Sequence, residues 1–134
     1  MSIEENKKIA EADVQYLESG KVEEQLSHYD DNPTIWDSVI RVVKYSTSNT
    51  LSGFEEVKKF YTFLAGMGPI KANIQSVFGE DDKVAVEWTL SGGEGAQKFE
   101  IPCVNLYDFE NGKIKNARLH FDSAYFAGLM KQAQ

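Results

Sequence analysis

Residues 106–122 read LYDFENGKIKNARLHFD. The pair Asn111-Gly112 lies between two runs of strand-forming residues, and an Asn-Gly pair in that position is the strongest short-range signal of a β-hairpin. The stretch therefore predicts a long strand over residues 97–109 and a return strand over Lys113–Phe121. A last short helix is predicted over roughly Ser123–Lys131.

Alternation with a period of two continues before this hairpin. Residues 84–90 alternate between apolar and more polar side chains and predict one strand. Residues Ile70–Phe78 predict another strand before it, and residues 34–43 carry β-branched and aromatic residues typical of a strand. The segment 38–50 is ambiguous, because VIRVVKYSTSNTL is compatible with a strand, a lid or a loop over a pocket mouth.

Helical spacing of apolar residues marks the rest of the first half. Residues 4–18 predict a helix that ends at Gly20, and Lys21–Tyr29 predict a short second helix followed by a turn at residues 30–33. Ser52 and Glu55 fit a capping box that begins a third helix, which ends at Gly66.

Helices that precede a run of antiparallel strands indicate the α+β class, in which helices cover one face of an antiparallel sheet. We expect a strongly curved sheet with helices on its concave side. Such a sheet forms a cone, and the mouth of a cone is a natural small-molecule pocket.

Composition restricts the function. The 134 residues predict a single domain over residues 1–134, and the net charge of −7 disfavours nucleic acid and anionic membranes as partners. The polar start of the chain and the absence of a long apolar run predict a cytoplasmic protein. The one cysteine, Cys103, lies in an apolar run and is expected to be a buried small hydrophobe.

Polar residues that interrupt apolar faces are the candidates for function, because an unpaired buried polar group costs about 1–3 kcal/mol. Asn105 is the only amide on one face of the long predicted strand, and is either a satisfied structural amide or a donor directed into the pocket. Asp37 either ends a strand on the surface or faces the cavity as a general base. Asp13 is either a solvated helix charge or a pocket residue.

The return strand ends with Arg118-Leu119-His120-Phe121-Asp122. His120 is either structural or part of an Asp–His pair, and Asp122 either caps the last helix or belongs to a site. The histidines and carboxylates show no metal-ligand spacing, and no glycine-rich phosphate loop occurs. We therefore expect neither a metal nor an organic cofactor.

The order of these elements resembles the NTF2-like (cystatin-like) superfamily, with the SnoaL-like and ketosteroid-isomerase branches nearest. The resemblance rests on 106–122, on HYDDNPTIWD (residues 28–37) and on SGFEEVKKFYTFL (residues 52–64), and spans nearly the whole chain. It implies a cone-shaped fold, a deep apolar pocket and a homodimer joined through the sheet. The apolar residues on both faces of the long strand also predict that dimer.

The resemblance also implies roles for individual residues. Counted from Gly20, Asp37 falls where the steroid isomerases place their general base, and Asn105 falls near their second oxyanion donor. The tyrosine of that oxyanion hole falls on Asp13, with Tyr16 nearly one helical turn away. Asp122, with His120 beside it, resembles the acidic residue of the SnoaL-like cyclases. Leu119 replaces an aspartate of the epoxide hydrolases, which argues against that chemistry.

Two hypotheses of different classes follow. In the first, Asp37 abstracts a proton α to a carbonyl of a small apolar or aromatic substrate, and Asn105 stabilises the enolate. In the second, the cone binds a small apolar ligand, or serves as a dimeric interaction module, without catalysis. Aromatic residues would then line the pocket or an interface, although core packing is the plainer interpretation of Trp88, Phe99, Tyr107 and Phe109.

Overall fold

The structure is a computed structural model that describes residues 2–132. Five helices and six strands follow one another along the chain. The helices are α1 (Ile3–Ser19), α2 (Val22–Leu26), α3 (Val39–Val42), α4 (Phe54–Ala65) and α5 (Ser123–Gln132). The strands are β1 (Tyr29–Asp37), β2 (Thr50–Ser52), β3 (Ile70–Glu80), β4 (Lys83–Gly92), β5 (Phe99–Glu110) and β6 (Lys113–Phe121).

All six strands form one sheet in the order β2-β1-β6-β5-β4-β3. Each neighbouring pair is antiparallel except β1 and β6, which are parallel. Register shifts between Ile74 and Ser76 and between Asp108 and Phe109 interrupt the long strands. Such bulges bend a strand and increase its twist, which suits the curved sheet.

The helices cover one face of this sheet. Helix α1 packs on β3 and β4, and α4 packs on β1 and β2. The core between the layers includes Val14 from α1, Phe60 from α4, and Ile101 and Leu119 from the sheet. The α+β class, with a curved sheet and helices on its concave side, is therefore confirmed. The long helices, the β5–β6 hairpin and the strand Lys113–Phe121 form as the sequence predicts.

Two local predictions are wrong, and one segment that the sequence left open is a helix. Residues 30–33 do not form a turn but continue β1, which begins at Tyr29, so the second helix ends earlier than predicted, at Leu26. Residues 39–42, in the ambiguous segment, form the helix α3, and tertiary packing buries Val39 and Ile40 at the end of the sheet. Helix α4 has Gly53 at its N-cap, with φ 94°, and no side-chain cap. Ser52 ends β2 instead, so no capping box forms.

The segment 38–50 is thus a short helix, a turn and the start of β2. Among residues 2–132, no helix combines the length and the apolar character needed to cross a bilayer.

Candidate functional site

Asp37 is the last residue of β1, and only 1% of its surface is exposed. The backbone N–H of Val39 donates a hydrogen bond of 2.8 Å to its Oδ1. An aspartate that accepts from the N–H two residues later forms an Asx turn, which here leads the chain from β1 into α3. Oδ2 accepts no hydrogen bond from the described residues.

The sheet register places Asp37 and Asn105 on one face. Asp37 lies beside Leu119 of β6, and Leu119 lies beside Asn105 of β5. Residues side by side in neighbouring strands point to the same face, and the strands are about 4.8 Å apart, so the Cα atoms of Asp37 and Asn105 are about 10 Å apart. Both side chains are buried on the helix-covered face, with one leucine between them.

Burial also controls the charge of Asp37. Loss of solvation raises the pKa of its carboxyl to about 7, and only the hydrogen bond from Val39 opposes the shift. The negative charge of the ionised Asp37 carboxylate is near enough to Tyr61 and Cys103 to contribute to raising the pKa values of both groups. Asp37 therefore titrates near neutral pH inside an apolar interior.

Asn105 is fully buried and has two side-chain partners. Trp88 Nε1 donates to its Oδ1 at 3.0 Å, and its Nδ2 donates to the hydroxyl of Tyr107 at 2.9 Å. A carboxamide nitrogen carries two N–H groups. One N–H of Asn105 therefore remains without an acceptor among the described residues.

Asp13 is the centre of a buried polar network. It is 2% exposed, so the interpretation as a solvated helix charge is wrong: its position on α1 faces the sheet. Tyr107 donates to Oδ2 at 2.7 Å, while Gln25 and Tyr29 donate to Oδ1 at 3.1 and 3.0 Å. Burial raises the pKa of Asp13 to about 6, although the three hydrogen bonds lower it.

Two tyrosine hydroxyls of this network donate to Asp13 directly, and a third donates to one of those two. Tyr29 uses its single proton on Asp13, so Tyr61, at 2.8 Å, must donate to the Tyr29 oxygen. The proton of Tyr107 is also used on Asp13. An ionised Asp13 thus orients three tyrosines, and none of their protons is available to an oxyanion.

His120 and Asp122 do not join Asp37 and Asn105. Leu119 faces the helices, so His120, the next residue along the strand, faces the opposite side, where it is exposed and packs on Trp36 with ring centroids 4.8 Å apart. Asp122 is exposed, and its Oδ1 accepts from the N–H of Tyr125 at 2.9 Å at the start of α5. Of the two alternatives for Asp122, the structure shows the helix cap, and among the described residues His120 and Asp122 make no hydrogen bond or ion pair with each other.

The family model for the SnoaL-like domain matches residues 10–117. The chain belongs to the SnoaL-like domain family. No curated protein matches it.

Solved structures share the fold of this SnoaL-like domain. TerC, co-crystallised with polyporic acid, is 18% identical, with 95% of this chain and 98% of TerC covered and a TM-score of 0.78. A SnoaL-like protein of unknown function from Burkholderia thailandensis is 16% identical, with 91% and 98% covered and a TM-score of 0.73. A de novo designed protein with a curved β-sheet is 23% identical, with 98% and 96% covered and a TM-score of 0.74. At these identities the likeness concerns the fold.

The other predicted substrate-binding residues of the SnoaL-like domain occupy separate places. Trp88 and Tyr107 are buried in the Asn105 and Asp13 network. Tyr16 is half-buried and stacks on His28 at 6.2 Å, outside that network. Phe99 is half-buried near the end of the sheet, so close to Gly92 that a Cβ there would lie 2.8 Å from its ring.

Three members of the network were not predicted from the sequence: Gln25, Tyr29 and Tyr61. The sequence signals these three residues in one way only: each has a polar side-chain atom at a position that the spacing of apolar residues assigns to a buried face. Tyr61 shares the apolar face of α4 with Phe60, for example, and a phenylalanine would fill the same space. Which hydroxyl meets which carboxylate depends on the packing of α1, α4 and the sheet.

Two cavities lie away from Asp37. One of about 800 Å³ is bounded by the start of α1 and the β3–β4 and β5–β6 turns, and one of about 580 Å³ lies on the uncovered sheet face near Glu87, Val104 and His120. Neither is lined by Asp37 or Asn105.

Cys103 is buried, its Sγ donates to the carbonyl of Ile101 at 3.3 Å, and burial raises the pKa of its thiol to about 12. The prediction of a buried small hydrophobe is confirmed. Within residues 2–132, no group of three or more histidine, cysteine or acidic side chains could hold a metal ion.

Proposed function

We propose that this SnoaL-like domain is a cofactor-independent isomerase or cyclase that abstracts a proton α to a carbonyl of a small apolar or aromatic substrate, with Asp37 as the general base. The observation that carries the proposal is the buried carboxyl of Asp37, which accepts a single hydrogen bond and has a pKa of about 7. A general base is most effective when its pKa lies near the working pH.

Asp37 and Asn105 would have complementary tasks. Asp37 takes the proton as the C–H bond breaks, and the electron pair moves into the enolate, whose oxygen carries the new charge. The unused N–H of Asn105, on the same sheet face, donates to that oxygen. In an isomerisation, Asp37 then returns the proton to another carbon and is ready for the next cycle. One such oxyanion donor contributes about 3 kcal/mol to lowering the barrier.

The substrate needs a path to Asp37. Val39 and Ile40 of α3 are buried directly after it, and α3 contacts α5. We expect the substrate to enter when the segment 38–49 moves away from the end of the sheet. TerC, a protein of the same fold, was crystallised with polyporic acid, which supports the idea that this fold accommodates a small organic molecule.

The test is a comparison of wild type with Asp37→Asn on β,γ-unsaturated ketones and polyketide-like enones. Loss of a positioned base lowers the rate by about 10²–10⁴-fold. Asp31→Asn is the matched control, because it makes the same chemical change at an exposed position of β1. Equal rates for wild type and Asp37→Asn would remove Asp37 from the mechanism.

A second candidate is a binding module without catalysis. It is favoured by the hydrogen bonds that already occupy Asn105 and Tyr107, and by the Asx turn in which Asp37 begins α3. In that case a bound apolar ligand would stabilise wild type and Asp37→Asn alike, and no member of the substrate panel would be converted. Asp122 and His120 have no role in either candidate.

We also propose a homodimer joined through the uncovered sheet face. This face exposes apolar side chains, with Phe78 57% and Val104 36% exposed. An interface of this kind would bury more than about 1,000 Å² in total. Val104→Lys is expected to yield monomers in sedimentation at micromolar concentration, with Thr62→Lys, which introduces the same side chain at an exposed position of α4, as the control. A monomeric wild type would contradict the dimer.

We also propose that the protein is cytoplasmic, which cell fractionation can check.

A further inference from the structure

The carboxamide of Asn105 can serve an oxyanion only through its N–H groups, so its orientation decides its use. A carboxamide carries an acceptor at one end and two donors at the other, and turning it over exchanges them. Trp88 Nε1, which can only donate, contacts Oδ1 of Asn105 at 3.0 Å. At the other end, Nδ2 lies 2.9 Å from the hydroxyl of Tyr107. A hydroxyl can donate or accept, so Tyr107 alone does not fix the orientation of Asn105.

Asp13 determines which of the two Tyr107 does. Tyr107 donates its single hydroxyl proton to Asp13 Oδ2 at 2.7 Å, a shorter hydrogen bond than those that Oδ1 accepts. An ionised carboxylate only accepts, and hydrogen bonds to it are roughly twice as strong as those between neutral groups. The hydroxyl oxygen of Tyr107 is therefore left as the acceptor that faces Asn105. Both ends of the carboxamide then have matched partners, and one N–H stays free.

This orientation depends on the charge of Asp13. When Asp13 is protonated or replaced by a neutral residue, the hydroxyl proton of Tyr107 can turn towards Asn105. Trp88 and Tyr107 then both donate, and Nδ2 of Asn105 loses its acceptor. The four side chains are between 0 and 3% exposed, so bulk water does not supply a substitute partner. The carboxamide is then no longer held with its nitrogen towards Tyr107.

The surroundings of Asp13 contain donors but no paired cation. Gln25 of α2 and Tyr29 of β1 donate to Oδ1, and Tyr61 of α4 donates to Tyr29. The strands β3 and β4 also pack on α1, but among their described residues no titratable or charged side chain makes a hydrogen bond or ion pair with Asp13. Burial raises the pKa of Asp13 to about 6, so the carboxyl is ionised at neutral pH.

We propose that Asp13 is a positioning residue for Asn105. Its carboxylate takes the proton of Tyr107, Tyr107 accepts from Asn105, and Asn105 therefore presents an N–H rather than its oxygen to a substrate. This role rests on the proposed function, in which that N–H donates to the enolate oxygen. Asp13 acts through Tyr107, because in the described structure it makes no hydrogen bond with Asn105 itself.

NMR tests the link between Asp13 and Asn105 without any substrate. The side-chain amide of Asn105 is followed from about pH 5 to 8 in the Asp37→Asn protein, so that the titration of Asp37 does not contribute. We expect the amide signals to shift with a midpoint near pH 6, the pKa of Asp13. No such titration is expected in Asp13→Asn/Asp37→Asn. An Asn105 amide that does not titrate near pH 6 in the Asp37→Asn protein would overturn the proposal.

Two further variants separate the link through Tyr107 from a general effect of the network. Tyr107→Phe removes the hydroxyl between Asp13 and Asn105, so most of the shift should disappear. Tyr29→Phe removes a hydroxyl from the other oxygen of Asp13, and Tyr29 makes no hydrogen bond with Asn105 in the described structure, so the shift should remain. Both changes are made in the Asp37→Asn protein. An undiminished shift in Tyr107→Phe would overturn the proposal.

Kinetics on a member of the substrate panel that is converted test the consequence. Tyr107→Phe is expected to lower kcat about tenfold while KM changes less than about twofold, because the N–H of Asn105 meets its charge only in the transition state. In Asn105→Ala the same change should cost nothing further, since its effect passes through Asn105. Tyr29→Phe should keep kcat within about twofold. Equal losses in the two tyrosine variants, or a loss that persists in Asn105→Ala, would overturn the positioning role.

This proposal and the proposed function fail in different ways. Equal rates for wild type and Asp37→Asn remove Asp37 as the base, and the NMR titration still decides whether Asp13 controls the orientation of Asn105. An Asn105 amide that does not respond to the charge of Asp13 removes the positioning role and leaves the general base in place.

Discussion

The burial of Asp37 predicts how stability depends on pH. The ordinary pKa of its carboxyl is 3.8, and burial raises it to about 7 in the folded protein. Between these values the folded state binds a proton that the unfolded state has released. The contribution of Asp37 to the free energy of unfolding is therefore present at low pH and is lost as pH rises through about 7.

The magnitude follows from the shift. A pH of 5.5 lies about 1.5 units below the folded pKa of Asp37, and at about 1.36 kcal/mol per unit this corresponds to a stabilising contribution of about 2 kcal/mol. At pH 8.5 the contribution of Asp37 to the free energy of unfolding is close to zero. The range avoids the isoelectric point near 4.8. In Asp37→Asn the titrating group is absent, while the hydrogen bond from Val39 can still form.

Urea unfolding of wild type and Asp37→Asn at pH 5.5, 7 and 8.5 measures this effect. We expect the stability difference between the two proteins to shift by about 2 kcal/mol in favour of Asp37→Asn between the two extremes. Asp13 titrates in both proteins and cancels in the comparison. The exposed control Asp31→Asn should show no such shift. A difference that is constant with pH would show that Asp37 is hydrated, and would remove the main support for its role as a base.

Three other predictions follow from the structure. Asp13→Ala leaves three buried donors without an acceptor and is expected to lower the free energy of unfolding by about 3 kcal/mol at pH 5.5, measured by urea unfolding; a loss below about 1 kcal/mol would contradict the network. Gly79→Ala should destabilise the folded protein, because the new Cβ would overlap the carbonyl of Lys83. Gly128→Ala in α5 should instead stabilise it by about 0.5–1 kcal/mol, because the new Cβ has no atom within 4 Å and alanine favours a helix. Thermal unfolding of both variants measures the two effects. Cys103 should react with a thiol reagent only at the rate of unfolding, because it is buried and its pKa is about 12; fast labelling under native conditions would contradict this.

Much of the fold could be predicted because the signals are local. Asn111-Gly112 adopts the positive φ values of a tight hairpin, 52° and 77°, which few other pairs tolerate, and this fixed the register of β5 and β6. Gly20, with φ 70°, ends α1 for the same reason. Alternation along β4 and β5 identified which residues share a face, and so singled out Asn105.

The candidate site was predictable only in part. Asp37 and Asn105 could be selected as polar residues beside apolar ones, but the distance between them depends on the parallel pairing of β1 with β6, which joins segments about eighty residues apart in sequence. The opposite placement of His120 was implicit in the alternation around Leu119. That His120 is separated from Asp37 and Asn105 became clear only from the register of β1, β6 and β5.

The amino-acid sequence by itself determined the order of helices and strands, the hairpin and the alternating faces, because backbone conformation and side-chain period depend on near neighbours. Tertiary structure alone decided that residues 39–42 form a helix, that Asp13 lies in a network of tyrosines, and that Asp37 loses its water. Each of these outcomes depends on which distant surfaces exclude solvent together, and the free energy of burial is a property of that whole arrangement.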